Sequence, residues 1–398
     1  MYRGHSTAVV IPAYNEAGFV GDTIASVPAF VDRVYAVDDG STDETWDEIR
    51  DAADTVVGAD GEDRATRLTG AGAGDLDSQV IAIQHERNRG VGGAIKTGYQ
   101  RARADEIDLT AVMGGDGQME PEMLGDLFDP IVDGDADYTK GNRFLGRQGR
   151  GAMPAHRFVG NAVLGALTKI ASGYWAAGDP QSGYTAISLR ALRLADVDAM
   201  YEFYGYCNDL LVKLNVARLR VVDVPRPITY GDEESHIRYR SYVPRVSLML
   251  SRNFLWRLKT NYLAYDFHPL IGAYATGGLA SMATIAAFVW ALPAVGVAAT
   301  PLARGAVALA FGLIAMLSIT WAMAMDRDAN AHLDDAVLPA DRRRPDPDER
   351  AAALNGTASS VAAEPGARED VIVGGRVDPT APVQPSAEDA PGPNTASD

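Results

Sequence analysis

The sequence predicts an α/β protein with a mostly parallel sheet and helices on its faces, followed by a two-helix membrane hairpin. Three observations predict it. From Thr7 to about Arg226, short apolar runs alternate with helix-like segments; two charge-free apolar segments follow; and the remainder, Asp326 to Asp398, has no Phe, Trp or Tyr. Alternating strand and helix signals are the pattern of a parallel sheet covered by its crossover helices.

The strands are read at "AVVI" (8–11), "VYAV" (34–37), "VIAI" (80–83) and "LTAVM" (109–113), with helices following from about Gly18, Thr42, Gly92 and Pro121. The Gly- and Asp-rich stretch 58–78 interrupts that rhythm and reads as a mobile surface insertion. "MPAHRFVGNAVLGALTKIASGYW" (153–175) reads as an amphipathic helix whose Phe158, Val159, Leu164, Leu167 and Ile170 serve packing, with Trp175 available to the membrane interface.

Segments 270–297 and 305–325 contain no charge, and each exceeds the roughly 20 residues a helix needs to cross a bilayer. The short link "AATPLAR" makes them a hairpin with both flanks on one side. Between Glu234 and Asp266 there is no acid, while His236, Arg238, Arg240, Arg245, Arg252, Arg257 and Lys259 are all basic. Arg245, Arg252 and Lys259 share nearly one helical face. This is the pattern of an interfacial amphipathic helix against anionic headgroups, which places the soluble domain and the tail on the cytoplasmic side of the cell membrane. The expected organisation is a soluble domain over 1–235, a basic juxtamembrane segment over 236–266, the hairpin over 267–326, and a disordered acidic tail over 327–398, which cannot bury enough apolar surface to offset chain entropy.

The chain has 398 residues, 47% of them hydrophobic, with a formal net charge of −17. Such a surface repels nucleic-acid phosphates, so no nucleic-acid partner is expected. An acid excess along the whole chain is also what a protein living in high salt shows. The single cysteine, Cys207, forms no internal disulfide and reads as a small buried residue. "TAVVIPAYNE" reads as a strand and turn rather than a secretory signal.

Candidate chemistry begins where each strand ends, which is where open α/β sheets bind ligands. After the four strands come "PAYNE" (12–16), "DDGSTD" (38–43), "NRGVGGAIKTGY" (88–99) and "GGDGQ" (114–118). Gly90, Gly92 and Gly93 have a superficial likeness to a dinucleotide fingerprint, but they do not follow the first strand and do not spell G-x-G-x-x-G. Asp39-Gly40-Ser41 also reads as a turn with Ser41 or Thr42 capping the next helix.

Together the four motifs, over about residues 7 to 235, resemble the family 2 glycosyltransferases with a GT-A, Rossmann-like fold. The nearest likeness is to the dolichol-phosphate mannose synthase and polyprenyl-phosphate glucosyltransferase group. The two-helix anchor matches one branch of that group, and with the acid excess it points to a halophilic archaeal source. The resemblance implies that Pro12, Tyr14 and Glu16 cup the donor's base and ribose, and that one of Asp38 and Asp39 accepts a hydrogen bond from the base. The family's fourth strand usually ends in Asp-Ala-Asp-Leu-Gln, which binds Mg²⁺ or Mn²⁺ bridging the donor diphosphate. Here Gly114 replaces the first acid, while Asp116 and Gln118 remain. A hard cation can complete its oxygen shell from Asp116, Gln118, phosphate oxygens and water, so the missing charge weakens metal binding without donor and leaves transfer possible.

By the same resemblance, Arg143 in "YTKGNRF" approaches the phosphates, and Lys140 reads instead as a surface partner. Asp179 in "GDPQSGYTAIS" orients the sugar or acts on the acceptor side; Thr185 stands where relatives often carry Arg. Ser235 and Arg238 fall where a lipid phosphate would arrive. The implied reaction is inverting transfer of a hexose, mannose or glucose, from UDP-glucose or GDP-mannose to dolichyl or polyprenyl phosphate; an oligomer is compatible with all of this. Two alternatives remain open at this point. One is a transferase of the same fold acting on a glycan hydroxyl with Asp179 as base. The other is a non-catalytic nucleotide-sugar-binding membrane scaffold.

Overall fold

The computed structural model describes residues 1–58, 79–145, 155–226, 239–264, 267–291, 301–334 and 336–337. The expected insertion at 58–78, Ser235, His236 and Arg238, and the tail beyond 337 lie outside the described residues, Gly58 apart.

In chain order the strands are β1 (Thr7–Ala13), β2 (Arg33–Asp38), β3 (Gln79–Gln84), β4 (Leu109–Val112), β5 (Tyr138–Asn142), β6 (Thr185–Ser188), β7 (Val221–Pro225) and β8 (Ala336–Val337). The helices are α1 (Val20–Ser26), α2 (Thr45–Gly58), α3 (Val91–Ala104), α4 (Leu124–Val132), α5 (Ala155–Ser172), α6 (Leu189–Leu194), α7 (Tyr206–Val216), α8 (Tyr239–Lys259), α9 (Leu270–Ala291) and α10 (Pro301–Asn330). The four strands expected from apolar runs are present, each within two residues of its predicted bounds.

The sheet runs β3-β2-β1-β4-β6-β5-β7-β8. β1 pairs in parallel with β2 and β4, whereas β6 runs antiparallel to both β4 and β5, so the sheet is mixed. Alternate residues of a strand face opposite sides. On β1, Ala8 and Val10 pack with Ile95 and Tyr99 of α3, while Val9 and Ile11 pack with Ile24 of α1, Ile49 of α2 and Phe128 of α4. Both faces are therefore covered, which is why β1 reads as a continuous apolar run rather than an alternating one. Cys207 lies in the first of these cores, and burial pushes its thiol up to about 11, leaving it protonated and unreactive near neutral pH.

The helices α9 and α10 pack against one another, and Leu270–Ala291 and Ala303–Leu333 are long and apolar enough to cross a membrane, with mean hydropathies of 1.4 and 2.1. α8 departs from the expected basic helix in one respect. Arg245, Arg252 and Lys259 are exposed along one side with Leu248 and Leu255. Arg257 is instead completely buried on the opposite side. Its guanidinium donates to both oxygens of Asp326 at 2.9 Å, and to the carbonyls of Ala171 at 2.9 Å and Ile170 at 3.1 Å. The acid four residues before the end of α10 required a cation, and α8 supplies it.

Asp326 also accepts from Tyr262 at 3.0 Å, Asn330 at 3.1 Å and the indole of Trp175 at 3.3 Å. Trp175 is thus turned toward this ion pair. Beyond residue 326, α10 continues to Asn330, Asp334 accepts from the Ala176 amide at 2.6 Å, and β8 adds to the sheet beside β7. The composition that predicts disorder applies to the tail as a whole. It says nothing of its first turns, which are held by specific hydrogen bonds.

Removing one member of a buried ion pair strands the other charge and costs about 3–5 kcal/mol. Asp326→Ala should therefore unfold at markedly lower temperature or denaturant concentration than the parent in detergent, whereas Arg257→Met combined with Asp326→Leu should recover most of the loss.

Candidate functional site

A cavity of about 430 Å³ opens at the C-terminal ends of β1, β2 and β4. Pro12, Tyr14, Glu16, Asp39, Asn88, Gly114 and Asp116 line it, joined by Phe203 and Tyr204 from the loop before α7. It brings together four of the expected donor-binding residues with the expected metal residue Asp116, from three separate motifs. Asp38 is fully buried beneath it, accepting from the Ser41 amide at 3.1 Å and the Gln84 side chain at 3.0 Å.

The first two motif loops are stitched to each other. The Asn15 amide donates to Ser41 Oγ at 2.9 Å, the Thr42 amide to Asn15 Oδ1 at 2.9 Å, and the Glu16 amide to Thr45 Oγ1 at 2.8 Å. Ser41 and Thr42 are therefore engaged with the "PAYNE" loop rather than capping the next helix. The Asp43 carboxylate accepts from the Thr45 amide at 3.1 Å where α2 begins.

Asp39 is the junction of the site. Its Oδ1 accepts from the Arg89 amide at 2.9 Å and meets His85 Nδ1 at 2.7 Å, and its Oδ2 accepts from the Gly90 amide at 2.7 Å. A carboxylate has about four acceptor positions, so one remains for a ligand. His85 in turn meets Thr97 Oγ1 of α3 at 2.9 Å. Nothing in the local sequence signalled His85, because its partner is 46 residues away.

The glycines of "NRGVGG" do not cradle a phosphate. A Cβ on Gly92 would stand 2.4 Å from the Tyr201 carbonyl oxygen, and one on Gly90 (φ +88°) 2.6 Å from that of Glu202. The Gly93 amide donates to the Glu202 carbonyl at 2.9 Å. These glycines exist so that the 201–204 backbone can lie against the start of α3.

After β4, Asp116 Oδ1 accepts from the Gln118 amide at 3.1 Å. The side-chain Nε2 of Gln118 is buried and has no hydrogen-bond partner. Amide nitrogen and oxygen exchange places on a flip, so this group can present an oxygen ligand. A Cβ at Gly114 would lie 3.0 Å from Asp116 Oδ1, so an acid at 114 would share one small space with Asp116. Among the described residues no three His, Cys, Asp or Glu side chains form a ready-made cation cage. Asp116 and Gln118 suit a hard divalent cation that draws its other ligands from a diphosphate. Arg226, which the sequence did not single out, holds this loop: it donates to the Gln118 carbonyl at 2.8 Å and lies over the Tyr184 ring, whose hydroxyl donates to the Glu120 carbonyl at 2.7 Å.

Arg143 and Asp179 meet one another rather than the cavity. Arg143 Nε and Nη2 donate to Asp179 Oδ2 and Oδ1 at 2.7 and 2.9 Å, a two-pronged pair with Asp179 buried and Arg143 partly exposed. Asp179 also borders a second hollow of about 400 Å³, with Phe144, Ala166 and Lys169 of α5 around it. The expectation that Lys140 is a surface partner is corrected. Lys140 is buried, pairs with Asp223 at 2.6 Å and donates to the Gly178 carbonyl. Asp223 also accepts from the Gly178 amide at 2.6 Å and from Asn142 at 2.7 Å, so this β5–β7 group fixes the start of the loop that carries Asp179. A lysine one residue from a glycine in a short strand gave no sign of a partner 83 positions on.

Truncating Asp39 would orphan the Arg89 and Gly90 amides, each at about 1–3 kcal/mol. Asp39→Ala should therefore lower the unfolding midpoint as well as nucleotide affinity, both read on the same purified variant.

Residues 8–194 match the model of Glycosyl transferase family 2. The chain is similar to the UDP-N-acetylglucosamine–dolichyl-phosphate N-acetylglucosaminyltransferase of Methanococcus voltae, 29% identical over 225 residues that span 56% of this chain and 86% of the relative. It is similar also to the undecaprenyl-phosphate mannosyltransferase of Micrococcus luteus, 28% identical over 229 residues, 56% of this chain and 83% of that one. A solved structure, glucosyl-3-phosphoglycerate synthase from Mycobacterium tuberculosis, superposes with a TM-score of 0.44 at 19% identity over 64% of this chain and 80% of that one. Residues 8–194 of this chain are a glycosyl transferase family 2 domain.

Proposed function

We propose that this glycosyltransferase moves a sugar from a nucleotide donor to a polyprenyl phosphate, dolichyl phosphate in the first instance, with inversion at the anomeric carbon and at the cytoplasmic face of a membrane. The observation that carries the reading is the convergence of Tyr14, Glu16, Asp39 and Asp116 on one strand-end cavity, in a chain whose α9 and α10 are long enough to cross a bilayer. The relatives named for dolichyl-phosphate and undecaprenyl-phosphate transfer support the acceptor class. The sugar is a hexose or an N-acetylhexosamine, since those relatives include one of each.

The donor's base reaches the free acceptor position of Asp39, and its diphosphate lies toward Asp116. Mg²⁺ or Mn²⁺, held by Asp116 and Gln118, would supply charge stabilisation for the departing nucleoside diphosphate. The acceptor phosphate is already an anion at neutral pH, so its attack needs little general-base help. Asp179 fits this reading as a positioning group, because both of its oxygens accept from Arg143. That pairing weighs against the alternative in which Asp179 deprotonates a glycan hydroxyl. Ser235 and Arg238 remain candidates for the acceptor phosphate on sequence grounds. Arg143, one-third exposed, is the cation paired with Asp179.

The test is transfer by the purified full-length protein in high salt, with Mn²⁺ or Mg²⁺, dolichyl phosphate and labelled UDP-glucose, GDP-mannose or UDP-N-acetylglucosamine. Acid-labile label in the organic phase from one donor supports the reading and names the sugar. Nucleotide-sugar binding with no transfer from any donor would favour the scaffold alternative. Asp116→Ala should reduce transfer at least about a hundredfold, and retained activity would remove Asp116 from the site. Gly114→Asp should tighten Mn²⁺ binding in the absence of nucleotide by about tenfold, read by the spin-resonance signal of the free ion, because one more carboxylate raises the ligand charge.

A further inference from the structure

The loop between Met200 and Gly205 is built with more care than a connection needs. Glu202 accepts from Lys96 Nζ at 2.6 Å and from Arg89 Nη2 at 2.7 Å, and its carbonyl accepts from the Gly93 amide at 2.9 Å. The Tyr201 amide donates to Asp209 Oδ2 at 2.9 Å. Burial works against the charge on Glu202, but the hydrogen bonds from Lys96 and Arg89 outweigh it and hold the carboxyl below its ordinary pKa, so the anchor is ionised at neutral pH. Two glycines of α3 and its approach, Gly90 and Gly92, give up side chains to let this backbone in.

What the anchored loop presents is two aromatic rings to open space. Phe203 is 50% exposed and Tyr204 57%, and both line the donor cavity, with Tyr14, 43% exposed, also on its wall. Rings left this open on a loop fixed by two cations are poor economy for folding alone, since their apolar area stays in water. Their position within the cavity identifies the end they serve. Phe203 lies against Gly90, where a Cβ would stand 2.8 Å from its Cδ1, and the Gly90 amide is bonded to Asp39. Asp39 can accept from the edge of a planar ring carrying N–H donors, and Phe203 and Tyr204 put two exposed aromatic rings on the wall of the same cavity.

We propose that Phe203 and Tyr204 are nucleobase-binding residues, stacking on the face of the donor's base while Asp39 takes its edge. This rests on the reading of the cavity as the donor site. Stacking is tolerant of base identity, because every base has an aromatic face. Discrimination between uracil and guanine then belongs to the polar edge contacts, and the rings supply affinity for either.

The test is equilibrium binding of UDP, GDP and UDP-glucose, with Mn²⁺, to the full-length protein in detergent and high salt. The variants are Phe203→Ala, Tyr204→Ala, the double variant and Phe203→Tyr. The double variant should bind whichever nucleoside diphosphate the parent prefers about tenfold or more weakly, with the melting temperature unchanged, while Phe203→Tyr keeps the parental affinity. Unchanged affinity in the double variant overturns the proposal. So does an equal loss in Phe203→Tyr, which would make the position a packing site, or a loss confined to UDP-glucose, which would move the rings to the sugar. Failure of the parent itself to bind either diphosphate would instead overturn the donor reading, and this inference with it.

Discussion

One buried carboxylate organises the catalytic end of this molecule. Asp39 is 2% exposed, and an ionised group so placed must collect donors or give up its charge. It collects His85 from the end of β3 and the amides of Arg89 and Gly90 at the approach to α3. Those bonds set the direction from which α3 leaves the sheet. α3 in turn fixes the 201–204 loop through its glycines and through Lys96 and Arg89. The cavity's floor and one of its walls are thus consequences of the same side chain, which itself lines the space they enclose.

The second constraint acts at the other end of the domain. Arg257 and Asp326 bind α8 to the end of α10, with α5 closing over them through the carbonyls of Ile170 and Ala171. The apolar hairpin is therefore joined to the α/β domain by a buried ion pair rather than by a slack linker. Such a joint fixes the direction in which the two apolar helices leave the α/β domain.

Much of the fold was legible in the sequence because its signals are local. β1, β2 and β4 are apolar runs buried on both faces and β3 is a partly buried one, each followed by a loop with its own residue pattern, and the apolar segments 270–297 and 305–325 are charge-free. The strand-end motifs likewise placed Tyr14, Glu16, Asp39 and Asp116 at one site. What escaped were pairings across long stretches of chain. Lys140 looked like a surface cation because its partner Asp223 is 83 residues away, and Arg257 looked like a headgroup contact because Asp326 is 69 away. The glycines at 90 and 92 gave a visible pattern with an invisible purpose, since their partner is the backbone of Tyr201 and Glu202, and backbone leaves no trace in residue identity. Phe203 and Tyr204 escaped for a related reason: only the folded chain distinguishes two aromatics in a core from two aromatics at a rim.

The most direct measurement of the account is an experimental structure of the full-length protein in a lipid nanodisc with Mn²⁺ and a bound nucleoside diphosphate. The account predicts the base between Asp39 and the Phe203–Tyr204 rings, with the diphosphate and metal at Asp116 and Gln118. A nucleotide bound away from Asp39, or one whose phosphates turn away from Asp116, would contradict it.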